Sequence, residues 1–223
     1  MSYSRFAIYY VPPEGALAEF GASWLGWDIA RGCAVQQMDC PGLDKVTEAP
    51  RKYGFHGTLK PPFRLADGAS AEDLHSALSD LARTVPPARC DGLELTALGS
   101  FLALTPRGDL GSLQQLAKTC VTELDRFRAP LTEAELARRR KANLSDRQEA
   151  LLRDWGYPYV MEEFRFHLTL SDKIAKADLP AWTRTVRDAL PDMHEPFVID
   201  QIALCGERGD GRFEVIHRYA LTG

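Results

Sequence analysis

The sequence predicts an α+β fold, one bilobal domain over residues 1–223, with two pseudo-symmetric lobes whose antiparallel sheets face a central cleft and whose helices lie outside. Three observations lead there. Short apolar runs with strand character alternate with stretches of helical periodicity. The order strand, helix, strand, strand occurs twice, over about 53–106 and 164–220. The spacing from His56 to Phe101 matches that from His167 to Phe213 to within one residue, and Ala97-Leu98-Gly99 parallels Ala203-Leu204-Cys205-Gly206.

The elements follow in order. Phe6 to Val11 is apolar throughout and stops at Pro12-Pro13, a strand ended by residues without a donor. Leu17, Phe20, Trp24 and Ile29 recur at helical spacing over 15–31. Residues 53–60 read as a strand closed by Pro61-Pro62. A helix over 70–85 opens with Ser70 as N-cap and Asp73 three residues on. Strands over 92–98 and 101–105 flank Gly99-Ser100. Residues 110–127 carry Leu113, Leu116, Cys120, Leu124 and Phe127 on one helical face. A helical insertion over about 128–160 follows, with Thr132 and Ser145 as N-caps and Gly156 as a stop. Residues 164–171 alternate as a strand, 178–190 as a helix, and strands over 196–205 and 212–220 close around the turn at 208–211.

Composition narrows the function classes. The chain has 223 residues and a net charge of −4, an ordinary globular balance that disfavours a partner such as long nucleic acid. No apolar run approaches the roughly 20 residues a membrane helix needs, and the start lacks a signal-peptide layout. The five cysteines are scattered and form no Cys-x-x-Cys pair, which predicts reduced thiols in the cytoplasm and no zinc site.

The two histidine strands carry the chemistry. Side chains alternate between faces along a strand. Over 164–171, Phe164, Phe166, Leu168 and Leu170 share an apolar face, and Arg165, His167, Thr169 and Ser171 share the other. Over 53–60, Tyr53, Phe55, Gly57 and Leu59 oppose Gly54, His56, Thr58 and Lys60. Each strand therefore offers one histidine, a threonine two residues on and one cation to a polar face. One His-x-Thr is commonly a solvated strand face. Two in-phase copies at matching places in a repeated block predict a site. Imidazole with an ordinary pKa near 6.5 can serve as acid or base near neutrality. Threonine hydroxyls can donate to the non-bridging oxygens of a phosphoryl group, and Lys60 and Arg165 supply positive charge. These faces offer no carboxylate or thiolate, so no metal or other cofactor is expected.

His56-Gly57-Thr58 and His167-Leu168-Thr169 resemble the paired motifs of the two-histidine phosphoesterase superfamily, which includes bacterial RNA 2′,5′ ligase-like enzymes, plant cyclic phosphodiesterases and the central domain of some A-kinase anchoring proteins. The longer runs Tyr53-Gly-Phe-His-Gly-Thr-Leu-Lys-Pro-Pro-Phe63 and Trp155-Gly-Tyr-Pro-Tyr-Val160, followed by Phe164-Arg-Phe-His-Leu-Thr-Leu170, resemble the subfamily encoded in phosphonate-utilisation operons. That subfamily was long described as a domain of unknown function. The resemblance spans the chain from the Phe6 strand to Tyr219. It implies a bilobal fold with a pseudo-twofold cleft, and His56, Thr58, His167 and Thr169 as catalytic residues.

The expected function is metal-independent opening of a small cyclic phosphate by histidine acid–base catalysis. The resemblance suggests 5-phosphoribosyl 1,2-cyclic phosphate in phosphonate catabolism as the substrate. RNA-end processing at a 2′,3′-cyclic phosphate or 2′,5′ linkage, and a non-catalytic nucleotide- or RNA-binding module, are the alternatives. Tyr53, Lys60 and Arg165 are expected to bind substrate. The basic run Arg138-Arg139-Arg140-Lys141 with Arg147 is either a solvated helix face or a holder for a second phosphate, with Arg138, Arg139 and Arg147 the expected contacts. His75 reads as a surface residue of a helix, His194 lies in a loop and His217 in the last strand, and none is assigned a role. The Gly-rich stretch 206–211 lies between strands and reads as a hairpin turn, not a phosphate loop.

Overall fold

A computed structural model of the protein describes residues 3–193 and 195–223. Strand β1 (Phe6–Tyr10) leads to helix α1 (Ala16–Leu25), the short ribbon β2 (Trp27–Asp28) and β3 (Cys33–Ala34), and the single-turn helices α2 (Leu43–Val46) and α3 (Glu48–Arg51). Then come β4 (Gly57–Phe63), α4 (Ala71–Thr84), β5 (Ala88–Cys90), β6 (Gly92–Leu98), β7 (Phe101–Arg107) and α5 (Gly111–Glu123). Helices α6 (Glu133–Arg140) and α7 (Asp146–Trp155) fill the segment before β8 (Leu168–Thr169). Helix α8 (Leu179–Ala189) and strands β9 (Phe197–Ile199), β10 (Gln201–Glu207) and β11 (Phe213–Ala220) complete the chain.

The fold is α+β. Its main sheet has the order β11-β10-β1-β4-β8-β7-β6, and every pairing is antiparallel. Read outward from the middle, β4, β1 and β10 mirror β8, β7 and β6, with β11 added at one edge. The two halves are joined edge to edge into one sheet by the pairing of Gly57 with Leu168. The histidine motifs thus lie side by side on neighbouring strands. In this order β7 is an inner strand and β11 an edge strand, so Phe101 and Phe213 occupy different places despite their matched spacing. Strand β1, not β11, is the counterpart of β7.

Alternation along β1 serves two cores. Phe6, Ile8 and Tyr10 join a large core that includes Trp24 of α1, Leu74 and Leu78 of α4 and Leu116 of α5. Ala7, Tyr9 and Val11 face a smaller cluster with Trp27, Ile29, Ala203 and Phe213. Burial on both faces explains the unbroken apolar run. The helix starts are as the sequence predicts: Ser70–Asp73, Thr132–Glu135 and Ser145–Gln148 all form reciprocal capping boxes. Gly156 ends α7 in the left-handed conformation. Helix α7 seats Leu151 and Leu152 in the interior, whereas α6 buries no residue.

The helix expected over 15–31 ends at Leu25, before the β2 ribbon, and both histidine strands also depart from the expected elements. Strand β4 runs through Pro61-Pro62 to Phe63 instead of stopping before them. It begins only at Gly57, because α3 and a left-handed Gly54 (φ 69°) occupy the residues before it. The expected strand over 164–171 is paired only at Leu168–Thr169, behind a 3-10 turn at Met161–Glu163. Each catalytic candidate histidine therefore sits immediately before the paired part of its strand.

Candidate active site

Continuing the Gly57–Leu168 pairing by one residue each way sets His56 opposite Thr169 and Thr58 opposite His167. The four side chains form a square on one face of the sheet, with the histidines on one diagonal and the threonines on the other. Diagonal neighbours stand roughly 7–8 Å apart, room for a phosphoryl group between the two rings. Gly57 allows this closeness. A Cβ there would run into the ring of Phe166, which lies beneath it as part of the large core.

Both histidines are held the same way. His56 Nδ1 donates to the Gly54 carbonyl (2.9 Å) and His167 Nδ1 donates to the Arg165 carbonyl (2.7 Å). A carbonyl only accepts, so in each neutral ring the proton sits on Nδ1 and Nε2 is left to act. His56 Nε2 lies 3.1 Å from Thr58 Oγ1. Tyr9 stacks on the His56 ring, with centroids 3.8 Å apart. Burial pushes the His56 pKa down to about 4. The Gly54 hydrogen bond opposes this, and the neighbouring charge of His167 adds to it. His56 is thus neutral at pH 7.

Cavities open on both sides of the square. One of about 200 Å³ is lined by Thr58, His167, Arg165, Tyr157 and Tyr159. The other, about 300 Å³, is lined by His56, Thr169, Tyr53, Phe101, Pro50 and Lys173. Together they suit a small molecule, whose sites commonly occupy ~300–1,000 Å³. Tyr53 stacks on Phe213 (5.4 Å) and stands 6.2 Å from His56, while Phe101 stands 5.7 Å from His167. Arg165 is exposed beside His167, its Nη1 donating to the carbonyls of Glu162 and Phe164. Carboxylates are present at the walls: Glu163 accepts from Gln148 (3.0 Å), and Asp172 accepts from the Lys173 backbone. Among the described residues no group of three or more His, Cys, Asp or Glu is placed to hold a metal ion.

Lys60 does not join the square. The register between β1 and β4 slips between Thr58 and Lys60, and this bulge turns Lys60 into the interior. Only 2% exposed, it donates to the Val121 carbonyl (3.0 Å) in the last turn of α5 and pairs with Asp125 (3.3 Å). Burial lowers its pKa to about 8, against the pull of Asp125. It is a buried cap on the C-terminal end of α5. Arg147 is also occupied, in an exposed pair with Glu162, and Arg140 pairs with Glu149. Arg138 and Arg139 have no carboxylate partner among the described residues. Arg139 lies over the Tyr157 ring at 4.5 Å.

Tyr9, Tyr157 and Phe101 shape the site without having been singled out by the sequence. Within an unbroken apolar strand Tyr9 carries no mark of which face it serves. His75 and His217 lie exposed with their rings 4.8 Å apart, and Tyr219 shares a 2.6 Å hydrogen bond with His75. His194 lies outside the described residues. Residues 208–212 join β10 to β11 as a hairpin turn, and Gly206 and Glu207 of the Gly-rich stretch are the last residues of β10.

Fold and site together define a paired His/Thr centre on an antiparallel sheet, with two imidazoles that can give and take protons. The chain belongs to the family described as "Protein of unknown function (DUF1045)", whose model matches residues 58–214. It is 43% identical over 183 residues to a protein of Janthinobacterium sp. (strain Marseille) named ribose 1,5-bisphosphate phosphokinase PhnN, covering 79% of this chain and 40% of that protein. A protein of the same name from Laribacter hongkongensis (strain HLHK9) is 36% identical over 189 residues, covering 80% of this chain and 42% of that protein. The chain thus spans about two fifths of these relatives. Among solved structures, E. coli LigT complexed with 3′-AMP superposes with a TM-score of 0.45 at 17% identity over 98% of both chains. A structure described as a phosphoesterase gives 0.45 at 16% over 100% of both. No helix among the described residues is long and apolar enough to cross a membrane.

Proposed function

We propose that this chain is a metal-independent cyclic phosphodiesterase acting on a small phosphorylated substrate. The observation that carries the reading is the His56–Thr58–His167–Thr169 square, with both rings tethered through Nδ1 so that Nε2 is the nitrogen left for chemistry in each. His56, neutral at pH 7, is the base. Its Nε2 takes a proton from water as the water oxygen attacks phosphorus. Protonated His167 gives its Nε2 proton to the ring oxygen that leaves. One P–O bond forms, one breaks, and the product is an open phosphomonoester. Thr58 and Thr169 donate to the non-bridging oxygens, Thr58 by turning its hydroxyl away from His56. Arg165, beside His167, balances the anion.

For the substrate we favour 5-phosphoribosyl 1,2-cyclic phosphate. The relatives are named for ribose 1,5-bisphosphate, a ribose bearing phosphates at the same two ends. The cavity walled by Tyr53, Phe101 and Pro50 favours a second reading, a nucleoside 2′,3′-cyclic phosphate with its base against these rings. A panel of cyclic phosphates, incubated after exhaustive chelation and followed by phosphorus NMR, separates the two. Cleavage of the ribosyl compound alone supports the first. Cleavage of the nucleotides alone supports the second. Activity that needs a specific divalent ion refutes the metal-independent mechanism, and no cleavage of any member refutes the enzyme.

A further inference from the structure

One carboxylate stands in the catalytic cavity without a cation on it. Glu163 lines the cavity of about 200 Å³ that holds Thr58 and His167. Its basic neighbours are engaged elsewhere: Arg147 pairs with Glu162, and Arg165 Nη1 donates to the carbonyls of Glu162 and Phe164. Glu163 is nevertheless fixed in place. It follows Met161, whose φ of 53° is strained for a residue with a side chain. Helix α7 grips this turn twice, through Arg147 on Glu162 and through Gln148 on Glu163. The Ser145 backbone N–H donates to Gln148 Oε1 (3.1 Å), so the amide nitrogen of Gln148 is the atom that donates to Glu163 Oε2 (3.0 Å). The other carboxylate oxygen, Oε1, accepts from no donor among the described residues.

We infer that Glu163 accepts a hydrogen bond from a hydroxyl of the substrate and selects for that hydroxyl. The square says on which side of phosphorus the rest of the substrate lies. In-line displacement sets the attacking and leaving oxygens on opposite sides of phosphorus. Water attacks from His56, so the leaving oxygen faces His167. In a cyclic phosphate that oxygen is bonded to the carbon frame, so the frame lies in the cavity beside His167, against Tyr157, Tyr159 and Glu163. One water needs roughly 10–15 Å³ of such space, so about 200 Å³ leaves room for a five-membered sugar ring. A carboxylate repels a phosphate group and only accepts hydrogen bonds, so the part of the substrate it meets is a neutral donor. The hydroxyl on the sugar carbon next to the cyclic phosphate fits, because it is the ring donor nearest the reacting atoms.

This inference rests on the ribosyl reading of the His56–His167 centre, and its test separates the two. The probes are 5-phosphoribosyl 1,2-cyclic phosphate and its 3-deoxy analogue, which lacks the one free ring hydroxyl. The proteins are wild type, Glu163→Ala and Glu163→Gln, each checked for folding by circular dichroism and thermal unfolding. Wild type should prefer the hydroxylated probe in kcat/KM by roughly 10–100-fold, the range of a hydrogen bond to a charged group. Glu163→Ala should abolish most of that preference, and Glu163→Gln, which keeps a neutral acceptor, should keep part of it. A merely structural role would slow both probes alike and leave the wild-type ratio, which overturns the inference, as does a wild type without preference. If wild type cleaves neither probe, the ribosyl reading fails, and calorimetry with the two uncleaved probes decides the hydroxyl contact. Wild-type binding roughly tenfold or more tighter to the hydroxylated probe, with the difference lost in Glu163→Ala, upholds it. Equal binding of the two, no binding of either, or a difference that survives in Glu163→Ala overturns it.

Discussion

Lowering the pH should expose the environment of His56 directly. Its pKa is pushed from the ordinary 6.5 down to about 4, chiefly by burial under Tyr9, while the unfolded chain keeps the ordinary value. Between pH 6.5 and 4 the unfolded chain therefore binds the more protons. Stability that is fully present above pH 6.5 is lost as the pH falls through 4. Each pH unit across that window corresponds to 1.36 kcal/mol, an upper limit of about 3 kcal/mol. His56 is only half-buried, so water screens part of the effect and the expected loss is ~1–3 kcal/mol. Denaturant unfolding of wild type and His56→Asn across pH 4–8 measures it, because the asparagine variant lacks this titration. The wild-type curve should drop below that of the variant, in relative terms, as the pH falls. An NMR titration of the ring should show a midpoint near 4, and the acid limb of kcat/KM should follow it. A constant stability difference, or a midpoint near 6.5, would refute a base desolvated by its stack.

Further outcomes follow from the same geometry. His56→Ala and His167→Ala should each reduce turnover by about 10² or more, and the double variant by little beyond either, since coupled acid and base fail together; near wild-type turnover in one single variant would remove that histidine from the chemistry. Gly57→Ala should destabilise the fold by about 1–3 kcal/mol by driving a methyl group into the Phe166 ring, read as a lowered denaturation midpoint, and an unchanged midpoint would contradict the close approach. Lys60→Ala should cost about 3 kcal/mol or more by leaving Asp125 to Arg128 alone, while Lys60→Met, which fills the space, should cost less. Because the Lys60 pKa is depressed to about 8, wild type should also gain stability relative to Lys60→Met as pH rises from 8 to 10.5. A large loss of kcat/KM in Lys60→Met at unchanged stability would return Lys60 to the substrate.

Elements whose causes are local can be read from the sequence. Caps at Ser70, Thr132 and Ser145 and the glycine stop at Gly156 were legible because a side chain and its own backbone decide them within three or four residues. The faces of the residues around His56 and His167 were legible because alternation is a property of one strand. The rest depends on contacts between distant parts of the chain. Which strands neighbour one another depends on long-range pairing, so spacing matched Phe101 with Phe213 while the sheet made β1 the counterpart of β7. Alternation placed Lys60 with His56 and Thr58. A bulge against β1, set by pairing with a strand about fifty residues away, sent it to α5 instead. The basic run looked uniform in sequence. Glu149 and Glu162, reached only through folding, neutralise Arg140 and Arg147 and leave Arg139 on Tyr157. Charge is written into the sequence, but whether a charge is spent depends on what the fold brings within about 4 Å of it.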